Sequence, residues 1–323
     1  MATSNIIPTP TARTIPAAPQ KTGGPPEDVW PHYGLRQRVL TAIFAAPAHF
    51  TTTLDIEGVL ATDLFTLNTP IGASIEQSFV DTLNNLREIW DPDGVYAGYK
   101  FVRQAQTFPD VLLKTDDPRL MFPNNVIMGI ELKGWFTLAK EGEPSFRYKV
   151  SPGCCAPQDL LVIVPWVFKN VISGTPVLMK PIVTEAKFAA EMRNHWWEFI
   201  REARCTLDER GVTPSEHQGH YPTKKAKSSD IPIHDGGGNF GRIARVGAFD
   251  EEIDAALEAP GAGIPLKYWH KFILLFTDGA SQESVEAGLE SLREAIEAKG
   301  NLSELQRQDL REAFVRVAAC LGS

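Results

Sequence analysis

The sequence predicts a mixed α/β chain of the α+β kind: a mixed central sheet flanked by helices, then a helical C-terminal region. Three observations predict it. Apolar runs of strand length recur, above all at 126–138 and 160–168. A helical stripe of Ile75, Phe79, Leu83, Leu86 and Trp90 precedes them. Further stripes at helical spacing fill the last quarter of the chain. At 323 residues this is one large domain or two modest ones, and 43% hydrophobic residues allow a substantial core.

In chain order, residues 1–28 are Pro, Thr, Ala and Gly without periodicity and read as a disordered arm. Residues 29–205 form the expected core, entered by a first helix within 30–50. Ser74 reads as a helix N-cap, and Gln77 completes a capping box. Strands are expected at about 95–103, 108–113, 126–138, 145–150, 160–168 and 176–184. Leu160 to Trp166 is apolar without a break, as in a strand buried on both faces. A helix over 185–204 then places Phe188, Met192, Trp196, Phe199 and Ala203 on one stripe.

Residues 206–248 read as a flexible, basic and glycine-rich segment. It holds Lys224, Lys225 and Lys227, then three glycines, Asn239, Arg242 and Arg245. No Gly-Lys-Ser/Thr follows the glycines, so they make no P-loop, and no strand precedes them as a dinucleotide site requires. The segment either tracks phosphates and reaches base edges or is a solvated surface loop. Arg242 and Arg245 would share a face on a helix.

Residues 249–323 read as a helical region packed on the core. Asp250 to Leu257 opens it, and Tyr268 to Phe276 fits strand or helix. Ser281 starts a helix with Val285, Leu289, Leu292 and Ile296 on its stripe, ended by Gly300. Ser303 starts another, carrying Leu310, Phe314, Val317 and Leu321. This helical hairpin either closes the core or serves as a dimer interface.

The chemistry concentrates in two strands. Phe108-Pro109-Asp110-Val111-Leu112-Leu113 carries one acid, and Val126 to Gly134 carries Glu131-Leu132-Lys133. Side chains alternate faces along a strand, so Glu131 and Lys133 share a side opposite Met128, Ile130 and Leu132. If the Asp110 strand pairs beside them, two carboxylates and an ammonium converge. Such a patch can hold a divalent metal and polarise a water beside a phosphate. Asp110 and Glu131, with the Leu132 carbonyl, would be the ligands, and Lys133 would offset developing charge. The plain alternative is a solvated strand rim. Glu185-x-Lys187 and Glu297-x-Lys299 share the Glu-x-Lys spacing, and Pro92-Asp93 is a rival Pro-Asp in a turn.

Pro109-Asp110, a gap of about twenty residues, then Glu131-Leu132-Lys133 resembles the PD-(D/E)XK nuclease superfamily, and within it the type II restriction endonucleases. The run from Gly129 through Trp166 looks like bacterial restriction enzymes of this type, and the resemblance covers about 70–170. It implies a restriction-endonuclease-like core, catalysis by Asp110, Glu131 and Lys133, and Mg2+ as cofactor. The family often adds an acid from the preceding helix, which makes Glu76 a third metal ligand; the plain reading is a first-turn Glu favoured by the helix dipole. The chain departs from the family between the Glu-x-Lys strand and the next. There the family usually inserts a helix, whereas 139–157 reads as a hairpin turn and a loop.

The function that follows is Mg2+-dependent hydrolysis of double-stranded DNA, with sequence-specific restriction by a homodimer foremost. A repair or recombination nuclease of the same superfamily and a non-catalytic, protein-binding scaffold are the alternatives. In the nuclease readings Lys224, Lys225, Lys227, Asn239, Arg242 and Arg245 contact DNA. The formal net charge of −8 argues against indiscriminate nucleic-acid binding but does not exclude a DNA enzyme with a locally basic cleft. Four cysteines, two of them adjacent, form neither a disulfide framework nor zinc spacing. No apolar stretch reaches membrane-spanning length and no signal peptide is evident, so a cytoplasmic protein without membrane contact is expected.

Overall fold

The computed structural model describes residues 15–58, 64–104, 106–144, 146–202, 208–275, 281–299, and 303–312 apart from 306, 309 and 310. The apolar runs form one mixed sheet. Strands β1 (Tyr99–Arg103), β2 (Val111–Thr115) and β3 (Val126–Phe136) make an antiparallel meander. β3 then pairs in parallel with β4 (Leu160–Phe168). β5 (Pro176–Leu178) and β6 (Ile182–Glu185) both run antiparallel to β4. Every residue of β4 is buried. Leu160, Val162, Val164 and Trp166 enter one core, while Leu161 and Ile163 enter another. A strand covered on both faces must be apolar throughout, and each such side chain contributes about 1.5–3 kcal/mol of burial.

Helices α1 (Tyr33–His49), α2 (Leu64–Asn85) and α3 (Arg87–Trp90) cover the first face. The second is covered by α4 (Ala186–His195), α5 (Asp250–Glu258) and the segment between Phe240 and Phe249. Helix α6 (Leu266–Leu274) joins the first core through Leu266 and Ile273. Its Tyr268 packs on Leu292 and Ile296 of α7 (Gln282–Lys299). The mixed sheet between helices, followed by a helical C-terminal region, is the architecture the sequence predicts. The helix expected from Ser303 lies mostly outside the described residues. Among those residues no helix is long and apolar enough to cross a membrane.

Several elements differ from expectation. Helix α2 starts at Leu64, so Ser74 is interior and caps nothing. The helix passes through Pro70 and Gly72. It comes close enough to β3 to require Gly134 there, because a Cβ added to Gly134 would lie 3.3 Å from the Gly72 Cα. The link between β3 and β4 is a crossover, not a hairpin, and among its described residues the only helical turn is Pro152–Cys154. Where a strand over 145–150 is expected, the described residues 146–150 form no strand, only single bridges from Arg147 to Arg242 and from Val150 to Ser229. The expected 176–184 strand is split into β5 and β6, with Met179 bonded to the Pro165 carbonyl between them. Helix α4 gives way to a π turn at Trp196–Ile200.

Two loosely attached segments of the sequence reading are held in place. Of the supposed arm, residues 15–28 are described, and Thr22 and Gly23 donate to the buried Glu185 carboxylate. The segment 208–248 is a cover rather than a flexible loop. It carries two short strands, β7 (Val212–Thr213) and β8 (Ile231–Pro232). Its own Phe240, Ile243, Ala244 and Val246 are buried. The last ladder, β9 (Pro260–Gly261) with β10 (Ile264–Pro265), links α5 to α6.

An ion pair locks the cover down. Arg193 of α4 binds Asp230 at 2.5 Å, with side chains 2% and 0% exposed. The same guanidinium donates to the Tyr148 and Val150 carbonyls. Asp230→Ala leaves that cation buried without its counter-charge, a loss of about 3–5 kcal/mol. The expected outcome is a much lower urea midpoint together with faster proteolysis within 208–248, and an unchanged midpoint would deny the pair its structural role.

Candidate functional site

The register of β2 on β3 sets Val111 opposite Ile130, which brings Asp110 beside Glu131. Asp110 itself precedes the strand, whereas the sequence reading placed it within one. Being free of the ladder, its carboxylate folds across onto β3. Its Oδ2 accepts from the Leu132 N–H at 3.1 Å and from Lys133 Nζ at 3.2 Å. Its own N–H donates to Glu131 Oε2 at 3.2 Å. Lys133 Nζ lies 2.7 Å from Glu131 Oε1. One ammonium therefore sits between two carboxylates.

The bend carrying Asp110 is fixed from both sides. The Gln104 N–H donates to the Asp110 carbonyl, and Gln104 Nε2 donates to the Pro109 carbonyl. The Pro109 ring lies over Gly129, where an added Cβ would fall 2.3 Å from Pro109 Cγ. Gly129 N–H donates to Asp159 Oδ1 at 2.7 Å. Asp159 also accepts from the Ala156 N–H and the Tyr221 hydroxyl. It is fully buried, and desolvation pushes its pKa up to about 6 against those donors. Asp159 is a site residue that the sequence reading did not single out. A lone Asp opening an apolar run, with a glycine on the neighbouring strand, is the signal that identifies such a clamp.

Glu76 reaches the site from α2. It stands four residues after Gly72, one helical turn beyond the close approach to Gly134. Burial raises its pKa, Asp110 raises it further, and Lys133, the Gly134 N–H and Arg103 oppose the shift. Its ion pair is with Arg103, at 3.5 Å. Arg103, at the end of β1, has no counterpart in the sequence reading.

Charge decides the character of the patch. Burial raises the Glu131 pKa and Asp110 adds to the rise, while Lys133 resists it. Burial alone would depress the Lys133 ammonium, but Glu131 and Asp110 outweigh it and hold the cation charged. Three carboxyl groups thus face Lys133 and Arg103, two of them, Glu131 and Glu76, with raised pKa values. Hard oxygen donors suit Mg2+, which takes one or two carboxylates and keeps several waters. Among the described residues, no group of three or more His, Cys, Asp or Glu side chains is placed to hold a metal ion, so at most two of these acids are positioned as ligands as they stand.

The rival acids are accounted for elsewhere. Glu185 is engaged by Thr22 and Gly23, and Lys187 lies on α4 facing Glu191. Glu297 is bound by Arg293 and Arg311. Asp93 is exposed in its turn. The six residues predicted to contact DNA divide. Lys224, Lys225 and Lys227 are exposed, and Lys227 lies 3.8 Å from Glu216. Arg245 is bound to Glu143 and to Asn239, whose amide in turn binds the Gly236 carbonyl. Arg242 precedes the 3-10 turn Ile243–Val246 rather than sharing a helical face with Arg245.

Compared with family models, curated proteins and solved structures, the chain finds no match.

Lys133→Met tests the electrostatics. Without the ammonium, ionised Glu131 and Asp110 repel each other in a site that is mostly shielded from water. A carboxyl whose folded pKa is raised favours the fold below its unfolded pKa, and that contribution is lost as pH rises through the folded value. The variant is expected to match wild type near pH 5 and to fall about 2–4 kcal/mol below it at pH 8. Parallel stability curves from pH 5 to 8, measured by urea titration, would refute the counter-ion role.

Proposed function

We propose that this protein is a Mg2+-dependent endonuclease of the PD-(D/E)XK kind, hydrolysing phosphodiester bonds in double-stranded DNA, foremost as a sequence-specific type II restriction enzyme. The observation that carries the reading is the placement of Lys133 Nζ between Asp110 and Glu131, at 3.2 and 2.7 Å. Asp110 and Glu131 would hold the metal, with Glu76 as a third acid at its margin. Bound there, Mg2+ would supply Lewis-acid charge at the scissile phosphate and lower the pKa of water.

The protein's own part is positional. Lys133 has three N–H donors. Two can stay on the carboxylates while the third orients a water toward phosphorus and offsets charge on the phosphate oxygens. Asp110 is anchored by the Leu132 N–H, so its carboxylate is already aimed before substrate arrives. Lys224, Lys225 and Lys227 lie exposed where duplex phosphates could meet them. Two-fold symmetric DNA is cut most simply by a two-fold dimer.

The net charge of −8 favours a second reading, a non-catalytic scaffold for another protein. The experiment separates the two. Purified protein is incubated with long unmethylated duplex DNA, with Mg2+ or with chelator. Discrete Mg2+-dependent fragments are expected. Asp110→Ala and Lys133→Ala are each expected to lower the rate by about a hundredfold or more, with circular dichroism unchanged. Cleavage that survives both substitutions removes the site assignment. A smear in place of bands points to repair or recombination processing. No cleavage, with no Mg2+ binding heat that Asp110→Asn abolishes, leaves the scaffold.

A further inference from the structure

Two arginines face each other across the bridge that joins the crossover to the cover. Arg147 pairs with Arg242 in antiparallel fashion, next to the Tyr148 N–H bonded to the Gly241 carbonyl. Residues directly opposite on an antiparallel bridge send their side chains to the same face, with Cβ atoms about 4.5–5.5 Å apart. Like charges there repel. A chain of net charge −8 has acids to spare, yet it places none on this pair. Among the described residues, neither guanidinium has an ion-pair or hydrogen-bond partner.

Three further observations point to an anion. The Nε of Arg242 is shut off from water and has no acceptor, a state that costs free energy until an acceptor is supplied nearby. Arg147 is exposed and lies along Gly238, where an added Cβ would fall 2.9 Å from Nη2. Lys149 and Arg245 flank the pair, and among the described residues Asp235 and Glu143 are the acids paired with them. Two planar guanidinium forks brought to one face by the bridge suit the oxygens of a phosphate group.

The position connects this pair to the Asp110 site. Tyr148, next to Arg147, packs its ring against Phe108, two residues before Asp110. Tyr148, Phe108, Ile243 and Trp135 belong to one core on the side of β3 that carries Glu131 and Lys133. We infer that Arg147 and Arg242 form a phosphate clamp that grips a backbone phosphodiester of the DNA strand, away from the bond that is cut. The inference rests on the proposed nuclease reading and deepens it. It adds Arg147, and it sets Arg242 apart from Arg245 and Asn239, which bind each other.

The test is fluorescence anisotropy of a labelled duplex in chelator, from 50 to 300 mM salt, for wild type, Arg147→Gln, Arg147→Gln/Arg242→Gln and Arg147→Lys/Arg242→Lys. Losing two phosphate contacts is expected to reduce the slope of log affinity on log salt by about 1.8. Affinity at low salt is expected to fall about tenfold or more. The lysine pair should regain the slope while losing part of the affinity, because charge returns without the forks. Arg147→Gln alone, at an exposed side chain, should lower the slope by about 0.9 with an unchanged melting temperature, so the inference does not hang on folding of the double variant. Equal slopes in wild type and variants overturn the clamp and leave Asp110-dependent cleavage untouched. Stabilisation of wild type by inorganic phosphate, lost in the glutamine pair and without duplex binding, overturns the nucleic-acid source and the nuclease reading with it.

Discussion

Lys133 is the charge on which the site depends. Asp110 and Glu131 come from separate strands and stand close enough to share one ammonium. Without it their repulsion, in a site poor in water, works against the pairing of β2 with β3. With it, the acids are held at the spacing a cation needs. The surrounding packing serves that arrangement. Gly129 admits Pro109 and Gly134 admits Gly72, so the Asp110 bend and the Glu76 helix both close onto β3.

The legible parts of the sequence were those governed by local periodicity. The alternation along 126–136 and the unbroken apolar run at 160–168 mark β3 and β4 because burial on two faces leaves few other compositions. The spacing of Asp110 and Glu131-x-Lys133 was legible for the same reason, since alternation places both β3 charges on one side. Less legible were features set by contact between distant segments. Helix α2 was read as starting ten residues late because Ser74 and Gln77 have the spacing of a capping box. The contact of Gly72 with Gly134 has no signature in either neighbourhood.

Glycine-rich and basic stretches misled in the other direction. Residues 206–248 look solvated by composition, yet Asp230 is wholly buried on Arg193 and Phe240 is enclosed. One buried ion pair can outweigh the tendency of many polar residues toward solvent, because neither partner can be released alone. The same logic separates the basic residues. Arg245 is already engaged with Glu143, whereas Arg147 lay unnoticed in what read as an ordinary strand.

The strap at the N-terminal end has a consequence for how the chain is made. Thr22 and Gly23 close on Glu185, 163 and 162 residues further along. Asp110, Glu131 and Lys133 need only chain that lies well before Glu185. During synthesis, which proceeds from the N-terminus, the strands bearing the three charged groups are complete while the strap still lacks its acceptor. The strap segment, made before its acceptor, therefore docks late, and until then the Glu185 carboxylate stays hydrated.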